Sequence, residues 1–110
     1  MLSGQDELLL LTILNLKDEA YGATMMKHLS KVTGKEWSIG AIYDPLYRLE
    51  KTGYVKSDLS MPTQERGGRS KRVYFVTKKG VEALQEHLKV RRELSDSIPK
   101  LNPDGRLKYE

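Results

Sequence analysis

Apolar and polar residues alternate with a helical period over most of the chain and with a strand period in one stretch after Gly53. The first predicted helix runs from Gln5 to Leu16, with Ser3 as its N-cap. Four leucines, Leu8 to Leu11, and then Ile13 point in nearly every direction at 100° per residue. A helix that is apolar all round must be covered on all sides, so the pattern favours contact with a second chain.

Two more helices are predicted before Gly53. One runs from Gly22 to Val32, because apolar residues recur there every three to four positions and Gly34 follows as a helix terminator. The next has Ser38 as its N-cap and carries one apolar stripe with spacings of 3, 4 and 3 residues. That stripe consists of Ile39, Ile42, Leu46 and Leu49.

Pro45 lies inside the third predicted helix. It has no N–H to donate to the Ala41 carbonyl, a loss of about 3 kcal/mol in a helix interior. A helix that starts at Asp44-Pro45 would avoid this loss, since proline suits the first helical position. Because the apolar stripe keeps its phase across Pro45, we predict one helix with a distortion near Ala41.

After Gly53 the period changes to that of a β-hairpin. Tyr54–Leu59 and Arg72–Thr77 are rich in residues that favour strands, and the segment between them is polar, basic and glycine-containing. We predict a hairpin with a long basic tip. Three helices followed by such a hairpin are the order of a winged helix-turn-helix. We therefore expect a mainly α (α+β) fold of this class with an additional C-terminal helix.

The additional helix is predicted from Lys78 to about Ile98, with Thr77 as its N-cap. It carries two apolar stripes about 100° apart, so that one can pack on its own domain while the other meets something else. The stripes are Val81, Leu84 and Leu88, and His87, Val90, Leu94 and Ile98. We divide the chain into a winged-helix domain (1–78), a C-terminal dimerisation helix (79–98) and a flexible tail (99–110).

The positive charge is concentrated in the predicted wing. Of the net charge of +4, the window from Gln64 to Lys79 carries +5, because six basic residues stand against one acid. Such a segment suggests contact with a polyanion, although a solvated charged loop is the alternative. In winged helices the third helix enters the major groove and the hairpin reaches the flanking backbone. We expect DNA contacts from Ser38, Gly40, Ala41, Tyr43, Arg48, Arg66, Gly67, Gly68, Arg69, Lys71 and Arg72.

The sequence argues against several other classes of protein. It has no cysteine, which excludes disulfides and thiolate metal sites, and its two histidines, His28 and His87, do not suggest a metal site. It contains no phosphate-binding loop, nucleophile elbow or zinc-protease motif, so we expect no enzyme and no cofactor. It also lacks a membrane-length apolar run and a basic region before its first apolar segment, so we expect a cytoplasmic protein.

Several segments resemble the PadR-like family of transcriptional regulators, in the same order along the chain. The resemblance extends over about residues 7 to 90. The segments are Tyr21-Gly22, Ser38 to Tyr43, Leu46 to Val55, Glu65 to Arg72 and Tyr74 to Gly80. One departure is visible: the family often has proline directly after the tyrosine, whereas here Asp44 separates Tyr43 from Pro45.

The resemblance implies a dimeric winged-helix DNA-binding protein, usually a repressor, that pairs through its first and last helices. We therefore expect a two-fold-symmetric operator. The residues expected at the dimer interface are Leu8, Leu9, Leu11, Leu84, His87, Val90, Leu94 and Ile98.

Other interpretations remain open from the sequence alone. The basic wing could instead bind an acidic protein partner, because winged helices also serve as interaction modules. Arg48 could form a surface pair with Asp44, four residues earlier. Trp37 is either a core residue or part of a pocket for an apolar or aromatic effector.

Overall fold

The three N-terminal helices surround a shared apolar core. The computed structural model describes residues 2–59 and 71–108. Helix α1 is Gly4–Leu16, α2 is Gly22–Thr33 and α3 is Ile39–Lys51, and a 3₁₀ turn at Lys17–Glu19 connects α1 to α2. The largest fully buried side chains come from all three helices: Leu9, Leu10, Ile13, Met25, Leu29, Ile42 and Leu46.

The helix ends follow the local chemistry that the sequence predicts. The Asp6 N–H donates to Ser3 Oγ, and the Ser3 N–H donates back to the Asp6 carboxylate, both at 3.1 Å. Ser38 Oγ accepts from the Ala41 N–H in the same way at the start of α3. Gly34 ends α2 in the left-handed conformation, with φ of 70°, where a side chain would be strained. The predicted caps of these three helices are confirmed.

Helix α3 continues through Pro45, as predicted from the phase of its apolar stripe. Three members of the stripe, Ile42, Leu46 and Leu49, are at most 3% exposed. The prediction is wrong for Ile39, which is 66% exposed. Ile39 is the first helical residue and lies at the edge of the stripe, so it projects past the helices that cover the later residues.

The hairpin joins strands β1 (Val55–Leu59) and β2 (Arg72–Val76) in antiparallel register, with Val55 opposite Val76. A backbone hydrogen bond of 2.8 Å from the Tyr74 N–H to the Ala20 carbonyl attaches β2 to the connection between α1 and α2. The winged helix-turn-helix architecture is therefore confirmed. The predicted wing tip, including Arg66, Gly67, Gly68 and Arg69, lies outside the described residues.

Helix α4 (Lys78–Ser95) starts in the core and ends far from it. Its first turns pack on the domain through Leu84, which is 4% exposed, whereas Leu94 and Ile98 are each 70% exposed. The chain has a radius of gyration of 17.4 Å and a longest dimension of 60 Å. A compact chain of this length has a radius of about 13 Å. The C-terminal part of α4 therefore forms an arm that extends from the domain.

The C-terminal segment differs from the prediction. Helix α4 ends at Ser95 rather than near Ile98, because Pro99 disfavours helical backbone at the residue before it. The expected flexible tail instead contains an antiparallel hairpin of β3 (Lys100–Leu101) and β4 (Leu107–Lys108). Its turn is closed by a 2.9 Å bond from the Gly105 N–H to the Asn102 carbonyl. The order Asn-Pro-Asp-Gly is a turn signature that the prediction missed.

Candidate nucleic-acid interface

The outer face of α3 has little contact with the rest of the described chain. Opposite the buried stripe lie Gly40, Tyr43, Asp44, Tyr47 and Lys51, all of them exposed. Tyr47 is 65% exposed, and the Lys51 ammonium lies 5.4 Å from the centre of its ring. Sequence reasoning missed Tyr47, although its spacing of four from Tyr43 places both side chains on this face. The face runs from Gly40 to Lys51 and is about three helical turns long, which suits the major groove.

Tyr43 is held in place by the start of α2. A Cβ on Gly22 would lie 1.9 Å from the Tyr43 hydroxyl oxygen and 2.7 Å from the adjacent ring carbon. Only glycine at this position therefore lets the phenol ring lie against α2. Tyr43 remains 43% exposed, so the same side chain packs on α2 and reaches the outer face.

Arg48 pairs with α1 rather than with Asp44. One Nη of Arg48 lies 3.5 Å from an Asp6 carboxylate oxygen, and the arginine side chain stays 60% exposed. The alternative Asp44–Arg48 pair is therefore wrong. The closer acceptor is the capping residue of α1, a long-range contact that helical spacing does not show. The predicted contact of Arg48 with DNA stays a prediction.

The two described residues of the predicted basic wing, Lys71 and Arg72, make contacts within the chain. The Lys71 ammonium lies 3.1 Å from the Tyr21 hydroxyl oxygen and 4.2 Å from the centre of the same ring. Arg72 donates a 3.0 Å hydrogen bond to Ser57 Oγ, and Ser57 in turn donates to the Glu50 carboxylate at 3.2 Å. These contacts join the root of the hairpin to α3 and to the start of α2.

Trp37 is mainly a structural residue in this chain. Its indole N–H donates a 3.0 Å hydrogen bond to Thr33 Oγ1, and its partly buried ring packs against the core. One face of the residue also borders an open cleft of about 510 Å³ between α2 and the start of α3. The hydrogen bond to Thr33 therefore supports the interpretation of Trp37 as a core residue. The effector pocket stays a prediction.

The residues predicted at the dimer interface divide into buried, partly buried and exposed residues. Leu9 and Leu84 are 0% and 4% exposed within the single chain, so their side chains have almost no surface left for a partner. Leu8 and Leu94 are exposed. Leu11, His87 and Val90 are partly buried, and Ile98 is exposed.

A buried charged cluster between α1 and α4 was missed by sequence reasoning. Glu7 is 6% exposed, and its two carboxylate oxygens lie 3.2 Å from His87 Nε2 and 2.5 Å from an Nη of Arg91. Burying a carboxylate is costly unless it is paired, so these contacts bind the root of the arm to the first helix. The partners are 80 and 84 residues apart in sequence, and no periodicity reveals them.

A winged helix with an uncovered third helix defines a class of nucleic-acid-binding proteins. Comparison with protein-family models identifies residues 10–86 as the transcriptional regulator PadR-like family. The chain therefore belongs to the PadR-like family of transcriptional regulators, which are winged-helix DNA-binding proteins and not enzymes. The resemblance found in the sequence is confirmed.

Solved structures of PadR proteins have the same fold. A PadR family transcription regulator from Clostridium difficile R20291 is 25% identical, with a TM-score of 0.67 over 86% of this chain and 95% of that chain. A PadR-like transcriptional regulator from Bacillus cereus is also 25% identical, with a TM-score of 0.66 over 83% and 86%. A transcriptional regulator from Clostridium thermocellum has a TM-score of 0.69 at 21% identity, over 84% and 87%. No curated protein sequence matches the chain significantly.

The described residues contain neither a helix that could span a membrane nor a cluster that could bind a metal ion. None of the helices over 2–59 and 71–108 is long and apolar enough to cross a membrane. Over the same ranges, no three histidine, aspartate or glutamate side chains come together in a way that could hold a metal ion.

Proposed function

We propose that this chain is a homodimeric, sequence-specific transcriptional repressor that binds a two-fold-symmetric operator. The observation that carries the proposal is the outer face of α3, which is exposed from Gly40 to Lys51 and begins with a glycine, next to the small, partly buried Ala41. Small residues at the start of a recognition helix let its backbone come close to the base edges. Each protomer would place α3 in one major groove.

The wing would hold the DNA backbone beside that groove. Four basic residues, Arg66, Arg69, Lys71 and Arg72, stand within seven positions of the sequence around Gly67-Gly68. Each phosphate neutralised releases counterions, which makes the affinity depend steeply on salt. The root of the wing is joined to the helix-turn-helix through Lys71 and Arg72, so it would act together with α3.

The arm supports self-association. Leu94 lies in the last turn of α4 and Ile98 lies three residues beyond its end, and each is 70% exposed. Leaving two large apolar side chains in water is unfavourable, by about 1.5–3 kcal/mol each relative to burial. Contact between the arms of two copies would cover them and would set the separation of the two α3 helices.

Repression follows from how these surfaces would be used. In the proposed complex α3 and the wing contact DNA, and α1 and α4 contact the second copy. A dimer on a promoter blocks access to it without any further contact, whereas activation needs an additional surface for a protein of the transcription machinery.

The test is fluorescence anisotropy on a duplex from upstream of the chain's own gene, compared with a scrambled duplex at two salt concentrations. We expect tight, selective and salt-dependent binding at two protomers per duplex. Replacing Arg66, Arg69 and Arg72 with alanine should lower the slope of log affinity against log salt by about one for each phosphate that is no longer neutralised. The matched control replaces Lys100, Arg106 and Lys108, three exposed basic residues that lie beyond α4.

The same assay separates DNA binding from the alternative of an acidic protein partner. If duplex DNA at physiological salt does not bind, or binds the wing variant as well as the wild type, the proposed use of the wing is wrong. Sedimentation of the free protein checks the dimer independently, and a monomer at micromolar concentration would contradict it.

We also propose that a small apolar or aromatic effector relieves repression. Support comes from Trp37, the only tryptophan, which borders the cleft beside the start of α3. A ligand there would touch the element proposed to read DNA. Candidate aromatic compounds should then quench the Trp37 fluorescence and lower the affinity for DNA together. Quenching without a change in DNA affinity would contradict the regulatory role.

A further inference from the structure

We infer that Asp44 is a specificity-determining residue, whose carboxylate accepts a hydrogen bond from the amino group of a cytosine in the major groove. The inference rests on the proposed DNA binding and deepens it by naming a residue and a base. Asp44 is exposed on the outer face of α3, one turn after Gly40.

The described part of the chain gives the Asp44 side chain no polar partner. Over residues 2–59 and 71–108 this side chain takes part in no hydrogen bond or ion pair, because the neighbouring cation, Arg48, is bound to Asp6. It is the sixth residue of α3, beyond the first turn in which an acid stabilises a helix N-terminus. Aspartate is also a weak helix former, so nothing in the helix favours it here.

Gly40 provides independent support for a ligand at this place. It is the second residue of α3 and does not have the positive φ that requires glycine. A Cβ at this position would meet only the Asp44 carboxylate, at an ordinary contact distance of 3.7 Å. The chain itself could therefore accommodate alanine, which is a better helix former than glycine. The space above Gly40 allows another molecule to approach the Asp44 carboxylate closely.

The chemistry of the carboxylate selects the base. An ionised aspartate has acceptors only, so it is repelled by the O6 and N7 atoms of guanine and by the O4 atom of thymine. Adenine offers an amino group, but its N7 acceptor lies beside it. The adenine amino group lies between two acceptors, its own N7 and the O4 atom of the paired thymine, whereas the N4 amino group of cytosine has an acceptor, the O6 atom of the paired guanine, on one side only; cytosine is also the usual partner of Asp and Glu side chains.

The negative charge of Asp44 also weakens binding to DNA in general, and this supports a role in sequence selection. A carboxylate on the DNA-facing side is repelled by the phosphates of any sequence, so it weakens binding to unrelated DNA. At the operator the hydrogen bond to cytosine compensates for this repulsion. Asp44 would therefore increase the ratio of the affinity for the operator to the affinity for unrelated DNA. Its effect on the affinity for the operator alone would be smaller.

The experiment is selection from a randomised duplex library with the wild type, Asp44→Ala and Asp44→Asn, followed by affinity measurements on the selected duplexes. We expect the wild type to select a cytosine at one position of each half-site, and replacing that base to weaken binding by about 5- to 150-fold. Asp44→Ala should lose the preference at that position only. Asp44→Asn should change it to adenine, because an amide can pair with both N6 and N7.

The controls make each outcome decisive. Asp18→Ala removes an equal charge from the exposed turn between α1 and α2 and should leave the selected sequence unchanged. An unchanged sequence in Asp44→Ala, or a change at a base other than cytosine, overturns this inference alone. If the wild type binds DNA but selects no sequence, both this inference and sequence-specific repression are wrong. Because the Asp44 side chain is exposed and makes no hydrogen bond or ion pair with residues 2–59 or 71–108, both variants should unfold at the wild-type temperature.

Discussion

Gly80 is the position at which the attachment of α4 to the domain can be tested most directly. It lies in the first turn of α4, where its N–H donates to Thr77 Oγ1 at 3.1 Å. A Cβ there would lie 2.2 Å from the Tyr54 carbonyl oxygen and 2.8 Å from Val76 Cγ1. Ordinary carbon–oxygen contacts are about 3.3–3.6 Å. Gly80→Ala therefore requires α4 or the β1 backbone to move by about 1 Å.

The net effect follows from two opposing contributions. Forcing an extra methyl group into packed surroundings costs about 1–3 kcal/mol. Alanine gains up to about 1 kcal/mol over glycine in a helix, which offsets part of that cost. We expect the free energy of unfolding to fall by about 1–2 kcal/mol and the Tm by roughly 5–15 °C, since 1 kcal/mol corresponds to about 4–8 °C in a domain of this size.

The assay is thermal and urea unfolding, followed by circular dichroism at one protein concentration. Gly40→Ala is the matched control, because it makes the same substitution in a first helical turn where the added carbon meets no atom closer than 3.7 Å. It should unfold at the wild-type temperature or above. If Gly80→Ala is as stable as Gly40→Ala, the close approach of α4 to the Tyr54 carbonyl does not exist in solution.

Three further predictions test other contacts. Glu7→Gln removes the buried charge that pairs with the largely exposed Arg91, so it should lower the free energy of unfolding by roughly 1–2 kcal/mol. Urea unfolding measures this change, and an unchanged urea midpoint would contradict the pairing. Burial raises the pKa of the Tyr74 phenol, so the native state holds that proton more tightly and wild-type stability should fall as the pH rises past about 10. Tyr74→Phe should show a smaller fall between pH 9 and 11, and equal falls would refute the assignment. Thr33→Val should cost about 1 kcal/mol and shift the Trp37 emission, because the indole N–H loses its acceptor.

Features that depend on neighbouring residues could be predicted from the sequence. The caps at Ser3, Ser38 and Thr77 each need one side chain and a backbone N–H three residues away. The change of period after Gly53 also located the hairpin. The path of α3 through Pro45 followed from the phase of its buried residues, since tertiary packing outweighs the loss of one hydrogen bond.

Features that depend on distant residues could not be predicted from the sequence. Arg48 has an acid four residues away on its own helix, yet it pairs with Asp6, because packing of α1 on α3 brings that carboxylate closer. Periodicity shows which residues are apolar but not where the covering elements end, so it does not distinguish the exposed Ile39 from the buried members of its stripe. The DNA-contacting role of the interface residues stays a prediction, because fold and exposure do not by themselves show which atoms of a base they meet.

The attachment of the wing root has a consequence for the operator. The Tyr74–Ala20 backbone bond and the Lys71–Tyr21 contact tie the strand that leaves the wing to the start of the helix-turn-helix. A protein linked in this way has little freedom to change the spacing between wing and recognition helix. On the proposed function, the DNA must then adjust its groove width to meet both, and sequences that deform easily would bind better even at base pairs that no side chain touches.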